Sequence, residues 1–136
     1  MSDWIMLIPS QVFTRLKSGL SEKLKKKYGI KSENFSMVAR SNTDAIFPVV
    51  YVNALTSMEE GADLEGSTIN AAMFTFQIEV TDNVSQNRTK EVMAEIINIA
   101  KAMRFELVSL PMFENMDGTH RCIIRIRRII GANDAL

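Results

Sequence analysis

The chain has 136 residues, 46% of them hydrophobic and 24% charged, the make-up of one globular domain with room for a real core. Sixteen basic and sixteen acidic residues cancel, so no global field draws the chain to nucleic acid or an anionic membrane surface. The single cysteine, Cys122, excludes an internal disulfide framework, and no apolar run approaches membrane-spanning length.

In chain order, residues 1–9 read as a short apolar lead-in that ends at Pro9. Ser10 is placed to cap a helix starting at Gln11, where free backbone N–H groups need an acceptor. Phe13, Leu16, Leu20 and Leu24 fall at helical spacing, and Tyr28 continues their face. Lys17, Lys23, Lys25, Lys26 and Lys27 crowd the later turns, where they complement the helix dipole. Lys25, Lys26 and Lys27 are also candidate phosphate contacts, beside the plainer reading of a solvated helix end. Gly29 is a natural stop. A short strand is expected near residues 34–40, and a better one over 46–52, where β-branched residues and Tyr51 suit a pleated, buried surface. Pro48 places an edge or a bulge nearby.

Residues 55–70 differ in character. They carry Glu59, Glu60, Asp63 and Glu65 with Gly61 and Gly66, and read as a long acidic loop or an extended hairpin. The strongest signal follows. Residues 73–81 alternate without a fault, with Phe74, Phe76, Ile78 and Val80 on one face and Thr75, Gln77, Glu79 and Thr81 on the other. Ser85 or Asn87 caps a helix over 88–103, where Val92, Ile96, Ile99 and Met103 make a core stripe that Met93, Ile97 and Ala100 widen. Residues 105–113 form a strand interrupted at Pro111, and Asn115, Asp117 and Gly118 make a turn. The last strand, 120–130, puts Cys122, Ile124, Ile126 and Ile130 inward. Arg121, Ile123, Arg125, Arg127 and Ile129 take the other face. Arg128 breaks the inner pattern, so the strand is expected to leave the core or bulge there. Residues 131–136 read as a flexible tail.

The expectation is therefore one α+β domain over 1–136. Its sheet is twisted and mostly antiparallel, of about four strands, with two helices on one face and a long inter-strand loop.

No residues suggest a reaction centre. His120 has no partner at ligand spacing, and with Cys122 it makes only a weak zinc argument. The carboxylates of 59–65 follow no calcium-loop pattern, and Gly61 to Gly66 lacks the lysine of a phosphate-binding loop. The expectation is no enzyme, no metal and no cofactor. Alternate arginines on the last strand are able to bind phosphate, but Ile123 and Ile129 stand in the same row. Arginine beside apolar residues is the mark of a protein interface. Met58, Met112 and Met116, in or beside loops, suit an adaptable contact surface.

The order of elements resembles that of the tail-terminator, or tail-completion, proteins that join tail to head in long-tailed bacteriophages. The parts that carry it are the leading helix 10–28, the strand Phe47-Pro48-Val49-Val50-Tyr51-Val52, the polar loop, and strand 73–81 with its Glu79-Val80-Thr81-Asp82 ending. Helix 88–103 follows, then the terminal hairpin with Pro111, Phe113, Glu114 and Asn115 ahead of the arginine-rich strand 121–128. The resemblance spans most of the chain, but its motifs are diffuse.

It implies a structural virion protein that forms a homohexameric ring, caps the tail tube, ends tube growth and presents a surface to the head. The implied partners are further copies of the chain, the tail-tube protein and a head-tail connector or stopper, with genomic DNA passing through the lumen without specific binding. The implied location is the head-proximal end of the virion tail, after assembly in the host cytoplasm and with no membrane. Interface residues are expected at Glu59, Glu60, Asp63 and Glu65 on one side and at Arg121, Ile123, Arg125 and Arg127 on the other. Two alternatives stay open: another connector, stopper or baseplate component, and a small nucleic-acid-binding protein using the basic patches.

Overall fold

The computed structural model describes residues 3–38, 46–55, 58–62, 69–116 and 118–136. The helix α1 spans Asp3–Gly19 and α2 spans Glu22–Tyr28, followed by a 3-10 turn at Ser32–Asn34. Strands β1 (Phe35–Ser36), β2 (Val49–Ala54), β3 (Met58–Ala62) and β4 (Ile69–Asp82) come next. Helix α3 (Gln86–Ala102) then leads to the hairpin of β5 (Glu106–Met116) and β6 (Thr119–Gly131).

All the described strands join one sheet in the order β1-β2-β4-β6-β5, with β3 also on β4. The α+β class stands, but the expected sheet does not. Among the described residues it has six strands rather than about four, and it is mixed, because β1 runs parallel to β2. Among them three α-helices, not two, accompany it. Of the two readings of residues 55–70, a loop or an extended hairpin, the second fits the described residues: β3 runs antiparallel to the start of β4. Strand β6 occupies one side of β4 from Ala71 to Asp82. Thus β2, opposite Phe76 to Thr81, and β3, opposite Ile69 to Met73, share the other side in succession.

The first helix differs from expectation at both ends. It begins at Asp3 and contains Pro9, so Ser10 is an interior residue whose hydroxyl donates to the Leu7 carbonyl at 3.0 Å. Burial explains the extension: Ile8 is in the core, and the Trp4 ring stands edge-on to Phe74 with centroids 6.2 Å apart. Such contacts outweigh the cost of a proline in the helix. The helix then breaks before Ser21. That residue caps α2 by accepting from the Leu24 N–H at 3.2 Å. Its own N–H and hydroxyl donate to the Glu95 carboxylate of α3 at 2.8 and 2.9 Å. Gly29 closes α2 in the left-handed conformation, φ 65°.

The core lies between the helices and one face of the sheet. Val12 and Leu16 from α1 and Val92, Met93, Ile96 and Ala100 from α3 meet Val50, Val52, Phe74, Phe76, Ile78 and Val80. Cys122, Ile124, Ile126 and Ile130 of β6 complete it. Each large side chain buried here contributes about 1.5–3 kcal/mol of transfer free energy. At the β4–α3 junction the buried Asp82 carboxylate accepts from the Val84 and Ser85 N–H groups at 3.0 and 3.1 Å, with Arg88 Nε at 3.4 Å. Ser85 is the cap of α3.

Arg128 and the tail also depart from expectation. β6 continues through Arg128, whose side chain is only 8% exposed. Its guanidinium donates to the Met103 carbonyl at the end of α3, at 2.7 Å, and to that of Ala135 at 3.2 Å. Arg15 holds the Leu136 carbonyl at 3.0 Å, and Leu136 packs against the core. The last residues are thus a folded strap, not a free tail, because two arginines find main-chain acceptors there.

Candidate assembly interface

Helices cover one face of the sheet. The other face carries the polar half of the β4 and β6 alternation, with Thr75, Gln77, Glu79 and Thr81 opposite Arg127, Arg125, Ile123 and Arg121, and cross-strand partners share a side. Arg121 Nη1 lies 3.5 Å from Glu79 and 3.8 Å from Glu114. Arg127 pairs with Glu106 of β5. Arg125 donates from Nε to Gln77 Oε1 at 3.0 Å, and Gln77 in turn donates to Glu79 at 3.2 Å. These contacts link β4, β6 and β5 by a polar ladder across the open face. Ile123 and Ile129 stand among the arginines, with Met73 opposite Ile129 and Met112 opposite Ile123.

The structure places the acidic candidates less completely. Glu59 and Glu60 belong to β3, with Glu59 opposite Ala72, while Asp63 and Glu65 lie outside the described residues. Arg121 and Arg127 already have carboxylates of their own chain. Arg125 is exposed and donates to a neutral amide, so among the described residues it is the one of the three with no carboxylate in a salt bridge.

The basic run on α2 separates as well. Lys27 Nζ is 3.1 Å from Glu91 on α3, and the Tyr28 hydroxyl donates to the same carboxylate at 2.6 Å. The Tyr28 and Lys27 hydrogen bonds hold the Glu91 carboxyl below its ordinary range. The Glu91 contact raises both Lys27 and Tyr28. Lys25 reaches Glu22 only at 3.9 Å, and Lys26 is exposed.

The most prominent feature is read only in part from the sequence, where Met112 and Met116 suit an adaptable contact surface. Strand β5 is the last in the sheet, and among the described residues it pairs only with β6. It carries Val108, Leu110, Met112, Phe113 and Met116 exposed, with Leu110 at 81%. Two register shifts leave Val108, Leu110 and Pro111 without a β6 partner, and bulges of this kind turn side chains out of the ladder. Proline is tolerated because an edge strand has a side with no ladder to complete. Natural edges are usually blunted by shortness, charge, proline or bulges; β5 has Pro111 and two bulges, but it is eleven residues long, has no lysine, and turns its apolar residues outward. The available signal was the density of apolar residues and methionines around Pro111.

Among the described residues no three His, Cys, Asp or Glu side chains come together as a metal site. His120 Nδ1 contacts Asn115 Oδ1 at 2.7 Å. Cys122 is buried, and that burial pushes its thiol up to about 11. No described helix is long and apolar enough to cross a membrane. Comparison with protein-family models and with curated proteins finds no match to this chain.

Proposed function

We propose that this chain is a structural subunit of a bacteriophage tail, forming a homohexameric ring that caps the tail tube and offers the head-attachment surface. The observation that carries the assembly part is the unpaired, apolar β5 edge beside a face of arginine, isoleucine and methionine. A long edge strand whose bulges turn several large apolar side chains to solvent is a candidate association surface, and this residue mixture is the one enriched at protein interfaces. The place in the virion rests on the order of elements described above. In a ring, one patch meets a different patch on the next copy, and the contact closes when the rotation allows.

Within this reading Arg125 is the arginine that meets a carboxylate of the neighbour, from the 59–65 segment. Arg121 and Arg127 instead stiffen the face that presents it. The tube, the connector and the passing DNA would meet other surfaces of the same ring.

Native mass spectrometry and electron microscopy, with and without tail tubes, test the proposal. The expected result is a closed ring, alone or on the tube. Leu110→Glu with Met112→Glu should abolish it while circular dichroism stays unchanged. A wild-type chain that is monomeric in both conditions sinks the assembly reading. Rings that ignore tail tubes sink the placement.

A further inference from the structure

A cleft of about 190 Å³ lies where α1, α2 and the 3-10 turn meet. Three lysines from three separate segments line it: Lys17 of α1, Lys25 of α2 and Lys31 of the link that follows. The hydroxyl residues Thr14, Ser18 and Ser32 stand among them. Ile30 and Phe35, both nearly buried, contribute apolar wall. Among the described residues no carboxylate lines the cleft. Glu22, 80% exposed, lies 3.9 Å from Lys25, and Glu33 follows Ser32 in the chain without lining the cleft. The Lys17 ammonium sits 4.9 Å from the centre of the Phe13 ring, and that ring stands edge-on to Phe35 at 6.4 Å, which ties this lysine to the cleft wall.

We propose that this cleft is a phosphoryl-anion site. The chain is formally neutral, and its neighbouring lysine Lys27 is neutralised by Glu91. Three lysines gathered without a lining carboxylate are therefore a local departure from the surrounding charge balance. Clefts of one sign with low-dielectric walls focus the field and concentrate counter-ions. Lysine stems cover the apolar wall while the ammonium groups stay at the wet rim. Ammonium groups act there as point charges toward several oxygens of one tetrahedral anion, and hydroxyls add donors. A planar carboxylate would be better met by the fork of arginine, and no arginine lines the cleft. The site differs from the lysine run read in the sequence. It takes Lys25 from that run, leaves Lys26 and Lys27 out, and adds Lys17 and Lys31. It does not depend on ring formation.

Two sources supply such an anion: a small phosphate and the backbone of a polynucleotide. The test uses the full chain with inorganic phosphate, against chloride at matched ionic strength, followed by amide NMR shifts. In a parallel arm a short DNA duplex is followed by anisotropy over a salt series. Phosphate is expected to shift Thr14, Ser18, Lys31 and Ser32 together.

The pair Lys17→Gln and Lys31→Gln should weaken binding about tenfold and, if the duplex binds here, lower its log–log salt slope by roughly two. Lys26→Gln, on α2 but outside the cleft, should change binding less than about twofold. Duplex binding through these lysines assigns the polynucleotide; phosphate binding alone assigns the small ligand. Absence of localised shifts with phosphate and of binding by the duplex overturns the site. So does an equal loss in Lys26→Gln, which would mean a diffuse basic surface. If the double variant fails to fold, Lys31→Gln alone, at an exposed position, gives the same comparison.

Discussion

Strand β6 has β4 on one side and β5 on the other, and the two pairings differ in kind. Against β4 it runs twelve residues in unbroken register, from Ala71 opposite Gly131 to Asp82 opposite His120. Against β5 it slips twice within a few residues, and the slipped residues are exposed and apolar. Register is held tightly where one face is buried, because a slip of one residue would turn Phe76, Ile78, Ile124 and Ile126 out of the core. Where little is buried, the same hairpin accepts bulges, and those bulges present Val108 and Leu110 outward. The same strand thus serves as the centre of the fold and as the support for the last strand of the sheet.

The largest expected effect separates the two sides. Ile126→Ala, in the core, should cost about 2–5 kcal/mol through lost burial and a cavity. Leu110→Ala should change monomer stability by about 0.5 kcal/mol or less, as exposed substitutions do. Urea unfolding of both variants measures the contrast. A similar cost for the two would mean that Leu110 is packed and that the β5 edge is not free.

Cys122 sharpens the comparison from the buried side. Its thiol, pushed to about 11 by burial, should carry roughly a hundredfold less thiolate near neutral pH than an ordinary cysteine. Labelling with a thiol reagent should be very slow in the folded protein and fast in denaturant. The raised value stabilises the fold fully below the ordinary thiol pKa, and that contribution fades as pH rises toward about 11. Rapid labelling of the native chain would show that the β4–β6 layer opens locally.

Charge on the open face is expected to matter less to folding than to association. Arg121→Ala removes two partly exposed pairs and should cost under about 1 kcal/mol, less in high salt. Arg125→Glu should leave the monomer folded and reduce ring formation, with partial recovery when a carboxylate of the 59–65 segment is reversed in the same chain. Sedimentation of single and double variants reads this out. Unaltered rings in every variant would remove Arg125 from the interface.

Much of this contrast is written in the chain, and the remainder is not. The alternation of residues 73–81 is legible because one face of β4 is dry and the other is polar. The inward set of β6 is legible for the same reason. Strand β3 is legible only as one of two readings, a hairpin beside a loop, since Met58, two glutamates and Gly61 have little intrinsic strand preference and pair because the first half of β4 offers an edge. The break before Ser21 depends on Glu95, 74 residues away. Arg128 reads as a disruption because its acceptors, the carbonyls of Met103 and Ala135, are assembled only by the fold. On the open face of the sheet, the arginine–isoleucine row is legible by parity. The β5 edge is not, since Pro111 reads only as an interruption of the strand and the sheet order alone shows that this strand has a side to spare.

The smallest expected effect concerns a contact held by charge instead of burial. Glu91 ties α2 to α3 through Tyr28 and Lys27. Its carboxyl is held below the ordinary value, mainly by the Tyr28 hydrogen bond. The stabilisation from that group is therefore present above the ordinary carboxylate range and is lost as pH falls through the lowered value. Tyr28 and Lys27 are raised, so their contributions are present below their ordinary values and are lost in strong alkali. All three groups are solvent-exposed, and water and salt screen them. Glu91→Gln should lower the melting temperature slightly at neutral pH, and the difference from wild type should shrink in acid. Thermal melts across the acid range, at two salt concentrations, give the measurement. A difference that persists unchanged in acid would place the role of Glu91 in packing, and α2 would then belong with the buried side of the molecule.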